Sequence, residues 1–572
     1  ETQREALLLV NCVTPYFREE ILQNVMLIFG FIGSNMIMCD DEFSLKVMDD
    51  TMSHVIPLVT GGDEQVQDSV IEVFIDAFRD IAAHRRLHLF RKLSSLLDEE
   101  NHLWFISFKL TERVIAMSKG EQKEFLDFAR ILVSSYDPIV QLHTFAVLIK
   151  VASLIDSGSS VIFRRNVTYN LRQRQEVVQL LVFNLMNMIA NAEFKSKVDQ
   201  CEWQEKAPHF NEFMESLLHF IESVTKERVE KKAFGYSKAV TRSLNKILEN
   251  GKETSSDSLL TNSQMALLSI KLLTKCYKEK EKTTKLFEQA LQIVVDMLSE
   301  SKANSHNVIA CAILCMTQVA VTIGNQAIPF LPSVISIILK YFVERSAVVV
   351  LSCITALTKI IRHFCHFLGS NLPQLISMAC NATGEYKDDV MFSQRFKVVK
   401  KHLATSVPMR TLLESIGNAY NELSTKSEEP ILSLLSIFSE ALSHAEQADV
   451  EANLQSAQKL LFTALDYRNV HWKLKTAMAI NTVEDKTIQC IITMVPKLSE
   501  KTFRPFFYKL YDWAIRTKED QFQRVLTFYR TMNKLGETLR SLFCVFAAPY
   551  IVNNCVNLLD TIEKSGVDEA TG

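Results

Sequence analysis

At 572 residues the chain exceeds what a single hydrophobic core ordinarily serves, so several domains or one extended repeat array are expected. Only 15 Gly and 12 Pro leave too few turn residues for a sheet-rich fold, and 48% hydrophobic against 23% charged residues excludes extended disorder. A formal net charge of -3 excludes bulk attraction to nucleic acid, so any phosphate contact needs a local basic patch.

The chain opens on Glu1 rather than Met, already inside a helical pattern, and an N-terminal part is expected to precede it. Helices are predicted over Phe43–Leu58 and Gln65–Ala82, flanking the turn Thr60-Gly61-Gly62-Asp63. A second pair, Glu121–Ser135 and Pro138–Leu154, flanks Tyr136-Asp137, with Val140, His143, Val147 and Val151 on one stripe of its second helix. Asp156–Gln173 mixes Gly, Ser, Asn and Arg and reads as a loop. Further pairs cover roughly 175–248, 258–299 and 308–364.

The uncharged stretch Ala303–Leu339 is long enough to suggest a membrane span. Gln318, the turn Gly324-Asn325-Gln326, Pro329 and Pro332 divide it, so two buried helices are expected instead. In the second, Leu331, Val334, Ile335, Ile338, Leu339 and Phe342 keep the i, i+3, i+4, i+7 spacing. The next helix carries Val350, Ile354, Leu357 and Ile361, and after Gly369-Ser370-Asn371 a third begins at Pro373. Pro332 and Pro373 are 373 − 332 = 41 residues apart, within the ~40–47-residue period of HEAT and armadillo repeats. Pro suits the first turn of a helix, where its missing N–H would have no partner.

The predicted fold is therefore all-α, an α-solenoid of irregular HEAT-type helical repeats in which stacking supplies the core no single pair can build. Four regions are expected: 1–155, HEAT-type repeats; 156–257, divergent helical repeats with a basic loop; 258–445, HEAT-type repeats; and 446–572, a C-terminal helical capping region. Thr383–Asp389 and Ser424–Glu429 read as charged turns, Arg468–Asp485 as a less regular insertion, and the tail after Glu563 as frayed.

No catalytic residue, cofactor, metal or small-molecule substrate is expected. Gly251-Lys252 lacks the upstream Gly of a phosphate loop, and Glu253 stands where Ser or Thr should bind magnesium. His84 and His88 share a helix face with Arg85 and Arg86 between them, and His363 and His366 flank Cys365 without a second ligand pair. Gly30 and Gly33 lack the dinucleotide fingerprint and its strand. The 12 Cys form no C-x-x-C pair and sit largely in apolar runs, as reduced thiols of a nuclear or cytosolic protein do, which makes the sequons at Asn166 and Asn381 incidental.

Three segments carry residue types suited to binding, and a solvated surface or a packed core is the simpler reading of each. Arg164, Arg165, Arg172 and Arg174 surround Phe163 and Tyr169, a pattern suited to phosphates and an unpaired base. A second basic run holds Lys226, Arg228, Lys231, Lys232 and Lys238. Near the end, Phe503, Phe507, Tyr511 and Trp513 recur at helical spacing, as a capping core or a partner face would.

Two blocks go beyond pattern. The first is Gln23-Asn24-Val25-Met26-Leu27-Ile28-Phe29-Gly30-Phe31-Ile32-Gly33-Ser34-Asn35 with Asp40-Asp41-Glu42-Phe43-Ser44 and Val55-Ile56-Pro57. The second is Lys497-Leu498-Ser499-Glu500 with Thr502-Phe503-Arg504-Pro505-Phe506-Phe507-Tyr508-Lys509-Leu510-Tyr511-Asp512-Trp513-Ala514 and Arg524-Val525-Leu526-Thr527-Phe528-Tyr529. Together they resemble the C-terminal part of the very large HEAT-repeat nucleolar family of the small-subunit processome. Lys401-His402-Leu403 with Val407-Pro408-Met409-Arg410-Thr411-Leu412-Leu413 adds a third match, while about 160–260 diverges. The resemblance implies a non-enzymatic nucleolar scaffold supporting pre-rRNA processing and rRNA transcription. Its implied partners are other processome proteins and pre-rRNA or snoRNA, contacted directly or through those proteins, with no membrane. The alternative is a HEAT-type nuclear transport receptor or protein-complex adaptor that wraps cargo on a concave face.

Overall fold

The computed structural model describes residues 2–32, 42–60, 64–117, 119–158, 163, 169–226, 262–275, 284–300, 305–344, 346–515, 522–540, 543, 547, 549–557 and 559–560. Among them every regular element is helical, and none is a strand. They fall into two compact units, residues 1–327 and 328–572.

The first unit holds α1 (Thr2–Val13), α2 (Arg18–Gln23), α3 (Val25–Phe31), α4 (Glu42–Val59), α5 (Glu64–Asp76), α6 (Ala83–Leu97), α7 (Glu99–Arg113) and α8 (Lys119–Ser134). It continues through α9 (Pro138–Asp156), α10 (Leu171–Ala190), α11 (Ala192–Gln200), α12 (Trp203–Lys226), α13 (Asn262–Leu273), α14 (Thr284–Ser299) and α15 (His306–Ile323). Contacts step along the chain: α4 packs on α6, α5 on α7, α6 on α8, α7 on α9, α10 on α13 and α13 on α15. Among the described residues the principal contacts join helices close together in the chain, which is the packing logic of a stacked repeat.

The second unit runs through α16 (Leu331–Phe342), α17 (Ala347–Phe364), α18 (Leu372–Glu385), α19 (Val390–Ser406), α20 (Met409–Leu423) and α21 (Glu428–His444). It ends with α22 (Gln447–Ala452), α23 (Leu454–Leu465), α24 (Tyr467–His471), α25 (Ala477–Met494), α26 (Glu500–Ile515) and α27 (Phe522–Leu539). The same stepping recurs, α16 on α18, α17 on α19, α19 on α21, α21 on α25 and α25 on α27.

The uncharged stretch is two helices, as expected. Gly324 ends α15 at a φ of 59°, a conformation a side chain would strain. Pro332 and Pro373 both lie in first turns, of α16 and α18. Three helical stretches, 138–156, 306–342 and 347–367, are long and apolar enough to cross a membrane. Their apolar windows are 67%, 72% and 56% buried within the protein itself, so that surface is spent on packing. Cys311, Cys315, Cys353, Cys380 and Cys490 are buried free thiols. Burial pushes the thiols of Cys311, Cys315 and Cys490 up to about 12, so they pack as small apolar groups.

Several boundaries differ from the sequence reading. α5 stops at Asp76, and residues 77–80 form turns instead of continuing the helix to Ala82. The stripe read on α9 is not its buried face. Val140 and Val151 are buried but His143 and Val147 are only half-buried, because neighbours cover most of the circumference and leave this edge partly open. Arg172 and Arg174 lie not in a loop but in the first turn of α10, which starts at Leu171. The expected insertion 468–485 is regular helix from Ala477 onward. The turn at 61–63, the second basic run beyond Lys226 and the tail after Glu563 lie outside the described residues.

Candidate functional site

The basic segment is organised by a helix start. Asn170 Oδ1 accepts from the Gln173 N–H at 2.9 Å, and Gln173 Oε1 accepts from the Asn170 N–H at 3.0 Å. This reciprocal box satisfies two donors that a helix N-terminus would otherwise leave without partners. Arg174 then turns back on the chain, donating from Nε to the Tyr169 carbonyl at 3.2 Å and from Nη1 to the Gly158 carbonyl at 3.1 Å. Its guanidinium lies 6.0 Å from the ring centre of Phe163, which is buried between Phe108 and Tyr169 at 6.1 and 4.8 Å. Arg174 therefore braces the approach to α10, and Phe163 is core. Arg172 is exposed, with the half-buried Glu176 one turn away. Arg164 and Arg165 lie outside the described residues.

His84 and His88 turn to different neighbours. His88 Nε2 sits 3.0 Å from Asp49 Oδ2, and Lys92 approaches the same oxygen at 3.6 Å. His84 is instead beside Arg85, at 3.2 Å.

The C-terminal helices form a junction of aromatic packing and ion pairs. Phe503 and Phe507 are buried, along with Phe506 and Leu510. Tyr511 and Trp513 are half-buried. Tyr511 packs edge-on against Phe528 and Tyr550, at 5.9 Å in each case. Trp513 lies 6.1 Å from Phe462 and 5.4 Å beneath the Arg524 guanidinium. That guanidinium grips Asp466 with two bonds of 2.6 and 2.9 Å. Most of the aromatic block is thus internal, with Tyr508 and Tyr550 43% and 40% exposed at its edge.

A second ionic centre is buried. Glu484 on α25, 2% exposed, receives Arg468 Nε at 3.0 Å and Arg468 Nη2 at 2.5 Å. Arg530 on α27 adds Nε at 3.0 Å to the same carboxylate, and both arginines also bond Asn481 Oδ1. Two cations on one carboxylate tie α24, α25 and α27 together. No local pattern signals this centre, because a Glu inside a polar stretch reads as surface.

Two further contacts fix α26. Lys497 Nζ donates to the carbonyls of Leu442, Ser443 and Ala445 at 2.6, 2.7 and 2.7 Å, capping the C-terminal end of α21, where carbonyls have no helical partner. Glu451 Oε1 accepts from the Ser499 N–H at 2.9 Å and the Thr502 hydroxyl at 3.1 Å. These bonds, the backbone one first, hold the Glu451 carboxyl down at about 2, against an ordinary 4.5. A depressed carboxylate pKa stabilises the fold fully above the ordinary value, and that contribution is lost as pH falls from 4.5 towards 2. Glu451→Gln should therefore melt earlier than the parent at neutral pH, with the gap closing across that window. Thermal unfolding followed against pH checks this, and a pH-independent gap would refute it.

Between residues 470 and 478, Val470, Trp472, Leu474 and Met478 are 58%, 48%, 79% and 82% exposed. The sequence reading missed this apolar turn, whose only signal was the density of large side chains in a segment without helical period.

Stacked helix pairs with stepwise contacts define a helical-repeat scaffold of the HEAT type, and residues 62–253 match the family model described as HEATR1-like, HEAT repeats. Residues 449–571 match a second model, the BP28CT (NUC211) domain, which takes in the Glu484 centre and the aromatic block. Human HEAT repeat-containing protein 1 is 24% identical over all of this chain. The U3 small nucleolar RNA-associated protein 10 of Schizosaccharomyces pombe is 22% identical over 98% of it. The chain belongs with these proteins as a homologue of their C-terminal part. It spans about a third of their length, 32% of the human protein and 38% of the yeast one. Among solved structures, importin beta aligns with 94% of this chain and 67% of its own, at 9% identity and a TM-score of 0.31. Kap121p aligns with 92% and 55%, at 10% identity and a TM-score of 0.27. At such scores neither likeness bears on what this chain binds.

Proposed function

We propose that the chain is part of a non-enzymatic scaffold of ribosome biogenesis, working in the nucleolus within the small-subunit processome. The observation that carries this reading is the match along the whole chain to proteins named for association with U3 small nucleolar RNA. Stacked helices offer long, pre-formed surfaces, which suits holding several partners in a fixed arrangement rather than turning over a substrate. Pre-rRNA processing and rRNA transcription are the processes such a scaffold supports, and other processome proteins and pre-rRNA or snoRNA are its partners.

Purifying the complex that forms around the full-length protein in cells, and sequencing its RNA, tests the proposal. Precursor rRNA and U3 RNA are the expected contents. Soluble cargo without RNA would replace this reading with the transport-receptor one.

Direct RNA contact is assigned to Arg164, Arg165 and the exposed Arg172 of the basic segment. Arg164→Ala, Arg165→Ala and Arg172→Ala together should remove most of the weak, salt-sensitive RNA binding of this chain. Arg174→Ala alone should instead lower thermal stability, since its donors hold the Tyr169 and Gly158 carbonyls. Titration of labelled RNA at two salt concentrations reads the difference. Equal binding by parent and triple variant would discard the segment as an RNA site.

A further inference from the structure

The half-open edge of α9 faces α12, and three metal-ligating side chains meet there. His143 comes from α9, and His209 and Glu212 stand one turn apart on α12. One ligand atom from each lies within 4.8 Å of the other two. His143 Nδ1 is 3.7 Å from Glu212 Oε2. The two imidazoles meet edge to face, with ring centres 5.9 Å apart and planes at 87°. Donors around a tetrahedral ion with bonds of about 2.0 Å are separated by about 3.3 Å. The observed spacing is thus a slightly opened version of that arrangement, within reach of side-chain rotation.

An ion pair between His143 and Glu212 explains only part of this. It leaves His209 without a role, and the Nδ1 of that ring is buried with no hydrogen-bond partner. Nor would a second protonated imidazole help, since two cationic rings at this distance repel. Two neutral rings and one carboxylate around a common point are instead a donor set that a cation satisfies at once. The carboxylate is prepared for it. Lys150, exposed and two turns further along α9, holds Glu212 Oε1 at 2.6 Å and leaves Oε2 towards His143.

We propose that His143, His209 and Glu212 form a binding site for a divalent transition-metal ion of the zinc class, pinning α9 to α12. Two imidazole nitrogens and one carboxylate oxygen select zinc, cobalt or nickel over magnesium and calcium, which require mostly oxygen donors. The remaining coordination position falls to water or to a partner's side chain. Lys150 is the positioning residue of the site: it orients the carboxylate and touches no metal. The site departs from the sequence reading, which found no metal ligands because its members come from two helices far apart in the chain.

The test uses the whole 572-residue chain, with Co2+ as the probe and Zn2+ as the competitor. One Co2+ per chain should bind with the visible absorption of a four-coordinate ion, be displaced by Zn2+, and raise the melting temperature. Loss of mere outer-shell partners already costs about 10–100-fold in metal affinity, so His209→Gln and Glu212→Gln should each weaken Co2+ binding roughly tenfold or more. Their circular dichroism and metal-free melting should match the parent. If His209→Gln fails to fold, His143→Gln on the other helix supplies the same readout. A double His84→Gln, His88→Gln variant should bind as the parent does. Absence of the cobalt spectrum in the parent overturns the proposal, and so does binding that His143, His209 and Glu212 substitutions leave unchanged.

Discussion

Glu484→Ala should destabilise the C-terminal helices by about 3–5 kcal/mol, the usual cost of removing one partner from a buried ion pair. The loss comes less from forfeited attraction than from what stays behind. Arg468, with only 8% of its side chain exposed, and Arg530, 29% exposed, would face each other with no carboxylate between them. Like charges in a poorly solvated site repel strongly, and neither guanidinium can discharge by losing a proton. Asn481 still accepts from both arginines and Asp485 still pairs with Arg530 at 2.7 Å, so Arg468 is the charge left uncompensated. Since repeat arrays do not unfold all at once, hydrogen exchange along α24, α25 and α27 is the proper measurement. Protection should fall there and stay unchanged in α16 to α18. A variant whose α25 exchanges like the parent's would show that the carboxylate is dispensable.

Ile335→Asp should cost about 4 kcal/mol or more, by placing an unpaired charge in a packed helix face. Ile335 is 3% exposed on α16, among Leu331, Val334, Ile338 and Phe342. Ile335→Val, which removes one methylene, should cost only about 0.5–1.5 kcal/mol and serves as the control for position rather than chemistry. Thermal unfolding of the two variants should differ clearly. An Asp variant that melts with the parent would mean that this face of α16 is not packed.

How much the sequence disclosed depends on what kind of signal each element carries. α16 was legible almost to the residue, because a one-sided apolar pattern, Pro in the first turn and a polar turn after it all agree. α9 was legible as a helix but not in orientation. Twelve of its residues are buried and they occupy most of the circumference, so periodicity marks no single face. The start of α10 was missed because Asn170 and Gln173 form their box inside an arginine-rich stretch that reads as loop. Around 477–485, Glu484 and Asp485 argued for surface, yet Glu484 is buried by arginines from two other helices. The ionic centre and the His143, His209 and Glu212 cluster share this property. Each is made by stacking, and nothing local in the sequence announces it. The aromatic block shows the converse: its helical spacing was visible, but which rings point inward was settled only by packing against Phe462, Phe528 and Tyr550.

Within each unit, helices touch their successors in the chain and little beyond. Cohesion in such packing is local, passed from one helix pair to the next. A defect in one pair loosens its neighbours and then fades, instead of bringing down a shared core. Each seam is therefore free to drift in sequence so long as its two faces drift together. A shared architecture can in this way outlast a fall in identity to 24% against the human relative. It also means that where a piece of the array is cut matters more than how long the piece is. A break between stacked pairs bares one apolar face, whereas a break inside a pair strands a helix that has lost its mate.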